Sequence, residues 1–485
     1  MKLNPINNRF CRILTGVSMM LSLSLATSAQ DNVLKAGASL VDVTPFLGVG
    51  VVGNFVVPPA IHIHDPLHAR TLVLDDGTTR LVFVIADNVG MDQGLVAQCK
   101  QIIELETGIS ASHVMIASTH THSAVSAGGE GGTNRNGEKD PASVAYQKFL
   151  VRRMADGVRI AINNLEPARL GYGSSSAPQH VFNRRWLIKE KVRSPYGDSD
   201  QVQFNPGINN TNKKEPAGTV DPEVAFLSVQ SASGKPIALL ANYSLHYVGG
   251  VPTGHISADY FSRFADKIRS GLGSGEGFPP FVGMMSNGTS GDVNNINFRG
   301  PAVPMKPFEK MNLVAEDVAT GVLKALKTVR YQSEVSLKGA LTELTLKVRK
   351  PSKELYERSR KVVSMPEGTK FDHSLERVFA ERAIELYEQW PDEITVPLQA
   401  FRIGGHGVAA IPFEVFTETG LDLKKRAPFQ KYFTISLANG NNGYLPTPAQ
   451  HKMGGYETWV TITRVEEQAS EKITSTLFDL FNQVK

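Results

Sequence analysis

His113 to Gly129, HVMIASTHTHSAVSAGG, constrains the chain more than any other stretch. Val114 to Thr119 is apolar and β-favouring, the pattern of a buried strand. It runs directly into two histidines and a glycine pair. Residues i and i+2 of a strand point to one side, so His120 and His122 would face the same way if the strand persisted. In α/β sheets the carboxyl ends of strands are where ligands bind. The pair is either part of a metal site or two satisfied polar residues at a strand end. A metal site needs further ligands from elsewhere in the chain.

Other segments share this habit of ending a strand in a polar or glycine-rich loop. TLVLDDGTTRLVFVIADNVG reads as two strands about an Asp-Gly turn, and LVAQCKQIIELETG as a helix closed by Gly108. With the His-bearing strand they make a strand–helix–strand unit. EVAFLSVQSASGKPIALLANYSLHYVGG is a second hairpin, and its second strand delivers His246 to a glycine-rich end. LQAFRIGGHGVAAIPFEVF is a third, delivering Glu414. YFTISLANGNNGYLPT is a strand followed by a loop that carries Tyr444. The charged stretch Lys347–Asp392 predicts one or two surface helices, and the segment from about Val465 to Val484 predicts a helix. Mixed strands and helices throughout predict the α/β class: mixed β-sheets flanked by helices, in a single catalytic domain.

The N-terminus is set apart. Lys2, Arg9 and Arg12 precede an apolar run from about Ile13 to Ala26 and then small residues, the pattern of a signal peptide cleaved near Ala29. The run is too short and serine-rich for a membrane span. The expected division is therefore a signal peptide over residues 1–29 and a catalytic domain over 30–485, secreted or periplasmic, with no transmembrane segment left after cleavage. Removing three basic residues takes the formal net charge from +4 to about +1, so no electrostatic case for nucleic acid exists. Of two cysteines, only Cys99 would remain, which excludes an intramolecular disulfide. The oligomeric state is not legible.

His120, His246, Glu414 and Tyr444 thus all sit where strands open into loops, as in a catalytic zinc site assembled from scattered segments. Here the sequence resembles the neutral, non-lysosomal ceramidase family, through motifs in the family's order. AGASLVDVTP is similar to its opening segment, THTHS to its most recognisable signature, and NRR at Asn183 to Arg185 to its NRS. LHYVGG, SADY, NGTSGDVNN, PFEVFTETG and GYLPT with the downstream YE complete the set. The resemblance implies a Zn2+ ion held by His120, His246, Glu414 and Tyr444, the last as a weaker or distal ligand. It puts His122 in the place of an active-site histidine, Arg184 near the substrate carbonyl, and Tyr456 in the place of an active-site tyrosine. The implied activity is hydrolysis of an amide bond in an N-acyl sphingosine or related N-acyl substrate, by zinc-bound water.

The sequence also departs from the family. Asn294 stands where the family has a serine, and neither Asn294 nor Asn295 can act as a hydroxyl nucleophile; Thr289 and Ser290 lie nearby. The chain stops soon after Tyr456, so the family's C-terminal immunoglobulin-like domain is expected to be missing. Two other functions stay open: hydrolysis of a different bond, in a glycan or ester, and an inactive relative that keeps only the pocket. His62, His64 and His68 form a second histidine cluster, read mainly as structural. His255 and Asp259 are candidates to support the metal histidines, Asp292 to orient a ligand or cap a turn, and His406 to be exposed in a hairpin turn. GGEGG around Glu130 lacks the Lys-Ser/Thr of a phosphate loop and reads as a flexible loop.

Overall fold

The hairpins and helix–strand units assemble into two stacked β-sheets in the computed structural model, which describes residues 33–53, 57–128, 141–274 and 277–485. The expected signal peptide and the stretch around Glu130 lie outside the described residues. The larger sheet contains β1 (Lys35–Asp42), β2 (His68–Asp75), β3 (Arg80–Ala86), β4 (Val114–Ser118), β5 (Glu166–Ser176), β6 (Glu223–Ser231), β7 (Pro236–Tyr243) and β8 (Val282–Asn287). Their spatial order is β8-β7-β6-β5-β1-β2-β3-β4. The predicted hairpins β2–β3 and β6–β7 are antiparallel, whereas β3–β4 and β7–β8 are parallel. Parallel neighbours need a crossover, and helices Gln93–Thr107 and Asp259–Gly271 supply it. The first of these helices stops at Gly108, whose φ of 72° is the left-handed cap that glycine favours.

The smaller sheet runs β9 (Leu337–Lys347), β10 (Glu393–Ile403), β11 (His406–Ile411) and β12 (Lys431–Ser436), with β11 and β12 parallel. The two sheets pack face to face. Phe83, Met115, Leu227 and Leu240 of the first share one core with Phe401, Val408 and Phe433 of the second. Phe83 and Phe401 meet edge to face at 5.3 Å, and burying each such ring stabilises by roughly 1.5–3 kcal/mol. Helices Gln93–Thr107 and Pro141–Asn163 cover the outer face of the larger sheet at one end, and Asp259–Gly271 and Glu309–Leu326 at the other. Ala469–Val484 covers the smaller sheet. The result is four layers, helix–sheet–sheet–helix, of the mixed α/β class. Both faces of β3 are covered, which is why LVFVIA has no polar alternation.

Residues Val33 to Lys485 group into one unit. The parallel pairs matter for function because β4, β7, β8, β11 and β12 all end in loops that meet at one rim. Backbone bonds stitch these loops across the sheets: Asn439 N donates to Ile116 O at 2.7 Å and Ser118 N to Leu437 O at 3.2 Å. The charged stretch forms two helices, Lys353–Ser364 and Glu376–Glu388. Cys99 is buried and unpaired. Among the described residues no helix is long and apolar enough to cross a membrane.

Candidate metal centre and substrate cavity

β4 ends at Ser118, two residues before the first histidine. His120 then takes a left-handed backbone, φ 76°, which is uncommon for a residue with a side chain and is held only where surroundings over-determine it. Here His120 N donates to Asn88 O at 2.8 Å and the ring Nδ1 lies 2.5 Å from Val89 O. The two histidines therefore converge through a turn, and not through the strand alternation expected from HxH spacing. His122 Nε2 ends 3.3 Å from His120 Nε2. His246, beyond β7, points its Nδ1 at Ser290 O at 3.1 Å and its Nε2 at His120 Nε2 at 3.0 Å.

The hydrogen-bond chemistry of this cluster suits a bound cation. A backbone carbonyl only accepts, so Nδ1 of His120 and of His246 must carry the proton, and in a neutral ring Nε2 is then a bare lone pair. Burial holds the His246 ring well below the ordinary imidazole range, with Arg184 adding to it; burial and His120 do the same to His122. Glu414 brings a third kind of acceptor: its Oε2 lies 3.3 Å from His120 Nε2 and 3.8 Å from His246 Nε2. That approach is no hydrogen bond of a neutral ring, and Glu414 Oε2 is buried without a partner. Burial pushes the Glu414 carboxyl up, but His120, Arg184 and Tyr444 outweigh it and hold the group below its usual range, as a carboxylate. Lone pairs and a negative charge converging at these distances repel one another unless a positive charge, an added proton or a metal ion, lies between them. The His120, His122 and His246 group can hold a metal ion, with donor atoms within 4.8 Å of one another.

Glu414 and Tyr444 are register partners on a short parallel ladder, which puts their side chains on one side. Two glycines let neighbouring backbone pack against this ladder. A Cβ on Gly443 would lie 2.5 Å from Ile462 O, and one on Gly291 would lie 2.4 Å from Glu414 O. The Tyr444 hydroxyl accepts from Arg184 Nη2 at 3.0 Å; the same Nη2 donates to Gly291 O at 2.9 Å, and Arg184 Nε to Glu457 Oε1 at 3.0 Å. Arg184 is thus locked on one edge, and Nη1 makes no bond to a described residue. It lines a cavity of about 550 Å³ with His122, His246, Tyr247, Tyr444 and Tyr456. Val52, Val57, Phe204, Val248 and Ile296 make much of its remaining wall apolar.

Residues 35–307 match the family described as neutral/alkaline non-lysosomal ceramidase, N-terminal. The chain belongs to this family. Neutral ceramidase A of Dictyostelium discoideum is 25% identical over 288 residues, which are 56% of this chain and 37% of that protein. The chain thus aligns with well under half the length of this curated relative. Among solved structures, the neutral ceramidase of Pseudomonas aeruginosa superposes with a TM-score of 0.67 at 17% identity, over 93% of this chain and 74% of that one. A ceramidase complexed with C2 gives 0.67 at 16%, over 93% and 75%. The ceramidase match reaches His120, His122, Arg184 and His246, while Glu414, Tyr444 and Tyr456 lie beyond it and are placed by the fold.

The structure brings together all seven residues singled out from the ceramidase resemblance and re-sorts their neighbours. Asn294, in the place of the family's serine, lines the cavity, with its Nδ2 donating to Asn205 at 2.7 Å and its Oδ1 accepting from Ile296 N at 2.9 Å. Ser290 sits behind His246 and away from the cavity lining, its Oγ donating to Asn287 at 2.7 Å. Asp292 touches no ligand position. It receives Thr417 N and Oγ1 at 2.8 Å each and Asn183 Nδ2 at 2.9 Å, so it ties the Arg184 segment to the Glu414 segment. Asp259 and His255 do not support the histidines, whose Nδ1 partners are backbone carbonyls; Asp259 instead accepts Val248 N and Gly249 N. His406 is half-buried, stacked on Tyr172 at 4.8 Å. His64 accepts from Arg263 Nη2 at 3.1 Å and stacks on Phe308 at 3.5 Å, a structural role.

Sequence reasoning missed three residues of consequence. Glu457 binds Arg184 at 3.0 Å and Arg185 at 2.7 Å, all three buried; the signal was present in the YE pair, of which only the tyrosine was used. Tyr247 stacks on His122 at 3.7 Å and 13°, and it is the residue after His246. Arg382, from the charged stretch read as one or two surface helices, lines the cavity, and no sequence signal would have brought it there.

Proposed function

We propose that this protein is a zinc-dependent hydrolase that cleaves the amide bond of an N-acyl substrate, N-acyl sphingosine or a related molecule, and that it is exported. The observation that carries the reading is the convergence of His120 Nε2, His246 Nε2 and the unpartnered Glu414 Oε2 beside an apolar cavity. His120, His246 and Glu414 would hold the metal, with Tyr444 as a fourth, weaker ligand; two imidazoles, a carboxylate and a position left for substrate suit zinc. When bound, such an ion polarises the carbonyl and acidifies water.

The chain's own residues do the rest. The apolar wall takes the acyl chain and excludes water from it. Arg184, which lines the cavity with Nη1 unbonded to described residues, would donate to the oxygen that gains charge when water adds to the carbonyl carbon. Tyr456, whose hydroxyl is pushed up to about 12, chiefly by burial and then by Glu414, stays protonated and can donate as well. His122, stacked on Tyr247 at the cavity, accepts the water proton and returns it to the nitrogen as the C–N bond breaks, giving a carboxylic acid and an amine. Asn294 lines the pocket without a nucleophile's role. The test is incubation of the purified protein with N-acyl sphingosine, a soluble N-acyl amide and a matching ester. Metal-dependent release of amine supports the reading; turnover of the ester alone, or of nothing, would replace it.

A further inference from the structure

We propose that Arg382 and Arg464 form an anion-binding subsite continuous with the metal centre, and that it holds a carboxylate, sulfate or phosphate group of the substrate. The assignment to substrate rests on the hydrolase reading above; the subsite itself does not.

A second cavity, about 380 Å³, opens on the other side of Glu414 and Tyr444, lined by Arg382, Arg464, Glu385, Trp390 and Asn441 among others. Arg382 and Tyr444 line both cavities, so a ligand in the second lies beside the cluster of acceptors in the first. Among the described residues neither guanidinium makes a side-chain hydrogen bond or an ion pair, and Arg464 Nε is buried with no partner. Other arginines of this region are satisfied: Arg184 and Arg185 share Glu457, and Arg349 donates to Thr458 O. The Arg464 guanidinium lies over the Trp390 ring at 4.5 Å and that of Arg382 over Phe379 at 5.2 Å. These contacts orient the planar forks without satisfying their N–H groups.

The charge balance points the same way. Burial pulls the Arg464 guanidinium below its usual range, Glu385 opposes this, and Arg382 adds to it. Glu385 is exposed and makes no ion pair among the described residues, and Glu414 is committed to the acceptor cluster. Two cations therefore face one exposed acid that is paired with neither. Both arginines are half-buried, a charge held partly out of water without a partner is destabilising, and paired guanidinium forks suit a planar or tetrahedral oxyanion. With the acyl chain on the apolar wall and the reacting carbonyl at the metal centre, the second cavity falls to the amine side. The substrate class is thus an N-acyl amine that carries an anionic group.

The experiment is calorimetric titration of the full chain with sodium sulfate, in the wild type, Arg382→Gln, Arg464→Gln and His120→Ala. One saturable site is expected, at least ten-fold weaker in each arginine variant and retained in His120→Ala. Equal affinity in all four proteins, or loss confined to His120→Ala, would overturn the subsite. Arg464→Lys guards against misfolding, because it keeps the charge and should recover part of the binding. A kinetic arm compares N-dodecanoylglycine with its neutral glycinamide. A ten-fold higher kcat/KM for the carboxylate, collapsing in Arg464→Gln, assigns the group to substrate; equal values in the wild type would remove that assignment. Sulfate binding at the arginines with no amide cleaved keeps the subsite and sinks only the hydrolase reading.

Discussion

Arg184 Nε lies 3.0 Å from Glu457 Oε1, while Arg185 Nη1 holds the other oxygen at 2.7 Å. One buried carboxylate therefore bridges two adjacent arginines, one on each oxygen, and holds the Arg184 side chain at the cavity. Removing one partner of a buried pair leaves an uncompensated charge and costs about 3–5 kcal/mol. Glu457→Ala should lose stability of that order in urea unfolding, and should lose activity as Arg184 is released. Wild-type stability in this variant would show that the pair contributes little.

The acceptor cluster predicts metal binding by a route independent of turnover. His120→Ala and Glu414→Ala should each drop from about one zinc per chain toward none in elemental analysis. Chelation should lower the melting temperature of the wild type, since a ligand at 100 times its Kd stabilises by about 2.7 kcal/mol, and added zinc should restore it. The His120→Ala melting temperature should not respond. Equal metal in wild type and both variants would place the ion elsewhere.

The elements that carry the site were legible in the sequence because their cues are local. Asp76-Gly77 turns one hairpin, Gly108 caps the first helix, and the apolar runs before His120, His246 and Glu414 are short strands with polar ends. What the sequence did not disclose is set by contacts across the chain. The stacking of the two sheets rests on Phe83 meeting Phe401, a pairing with no local signature. The left-handed turn at His120 depends on Asn88 and Val89, which come from the end of a different strand. For the same reason the support of the histidines was sought in the side chains of His255 and Asp259, whereas backbone carbonyls provide it. Arg382 belongs to a stretch whose charge pattern reads as surface helices, and its helix packs against Trp459 through Phe379, a contact with no local signature.

Stability should carry a pH signature from Asp259. Burial pushes its carboxyl up to about 6, against three backbone donors, Gly249, Tyr260 and Val248, that favour the ionised form. The folded state therefore holds this proton more tightly than the unfolded chain, where an aspartate titrates near about 3.9. The contribution is fully present below about pH 4 and is lost as pH rises through about 6. Asp259→Asn does not titrate and adds a cost independent of pH. The stability of wild type relative to this variant should fall by on the order of 2 kcal/mol between pH 4 and 7, measured by urea unfolding. A constant difference would contradict the shift.

The sharpest prediction separates two residues that flank His246. Ser290 lies four residues before Asn294, the position that the resemblance matches to the family's serine, yet its Oγ is bound to Asn287 and lies on the Nδ1 side of His246, 3.5 Å away, behind the ring. His122 stands on the other side, at the cavity, with its Nε2 3.3 Å from His120 Nε2. If water is the nucleophile and His122 moves its proton, His122→Ala should lose roughly 100-fold or more in turnover while keeping its zinc. Ser290→Ala should lose far less, because it removes one hydrogen bond to Asn287 and no reacting group. Loss of zinc in His122→Ala would make His122 a metal ligand instead of a proton carrier. A large loss in Ser290→Ala, with an acyl adduct trapped on that residue, would restore a serine nucleophile and overturn the water mechanism.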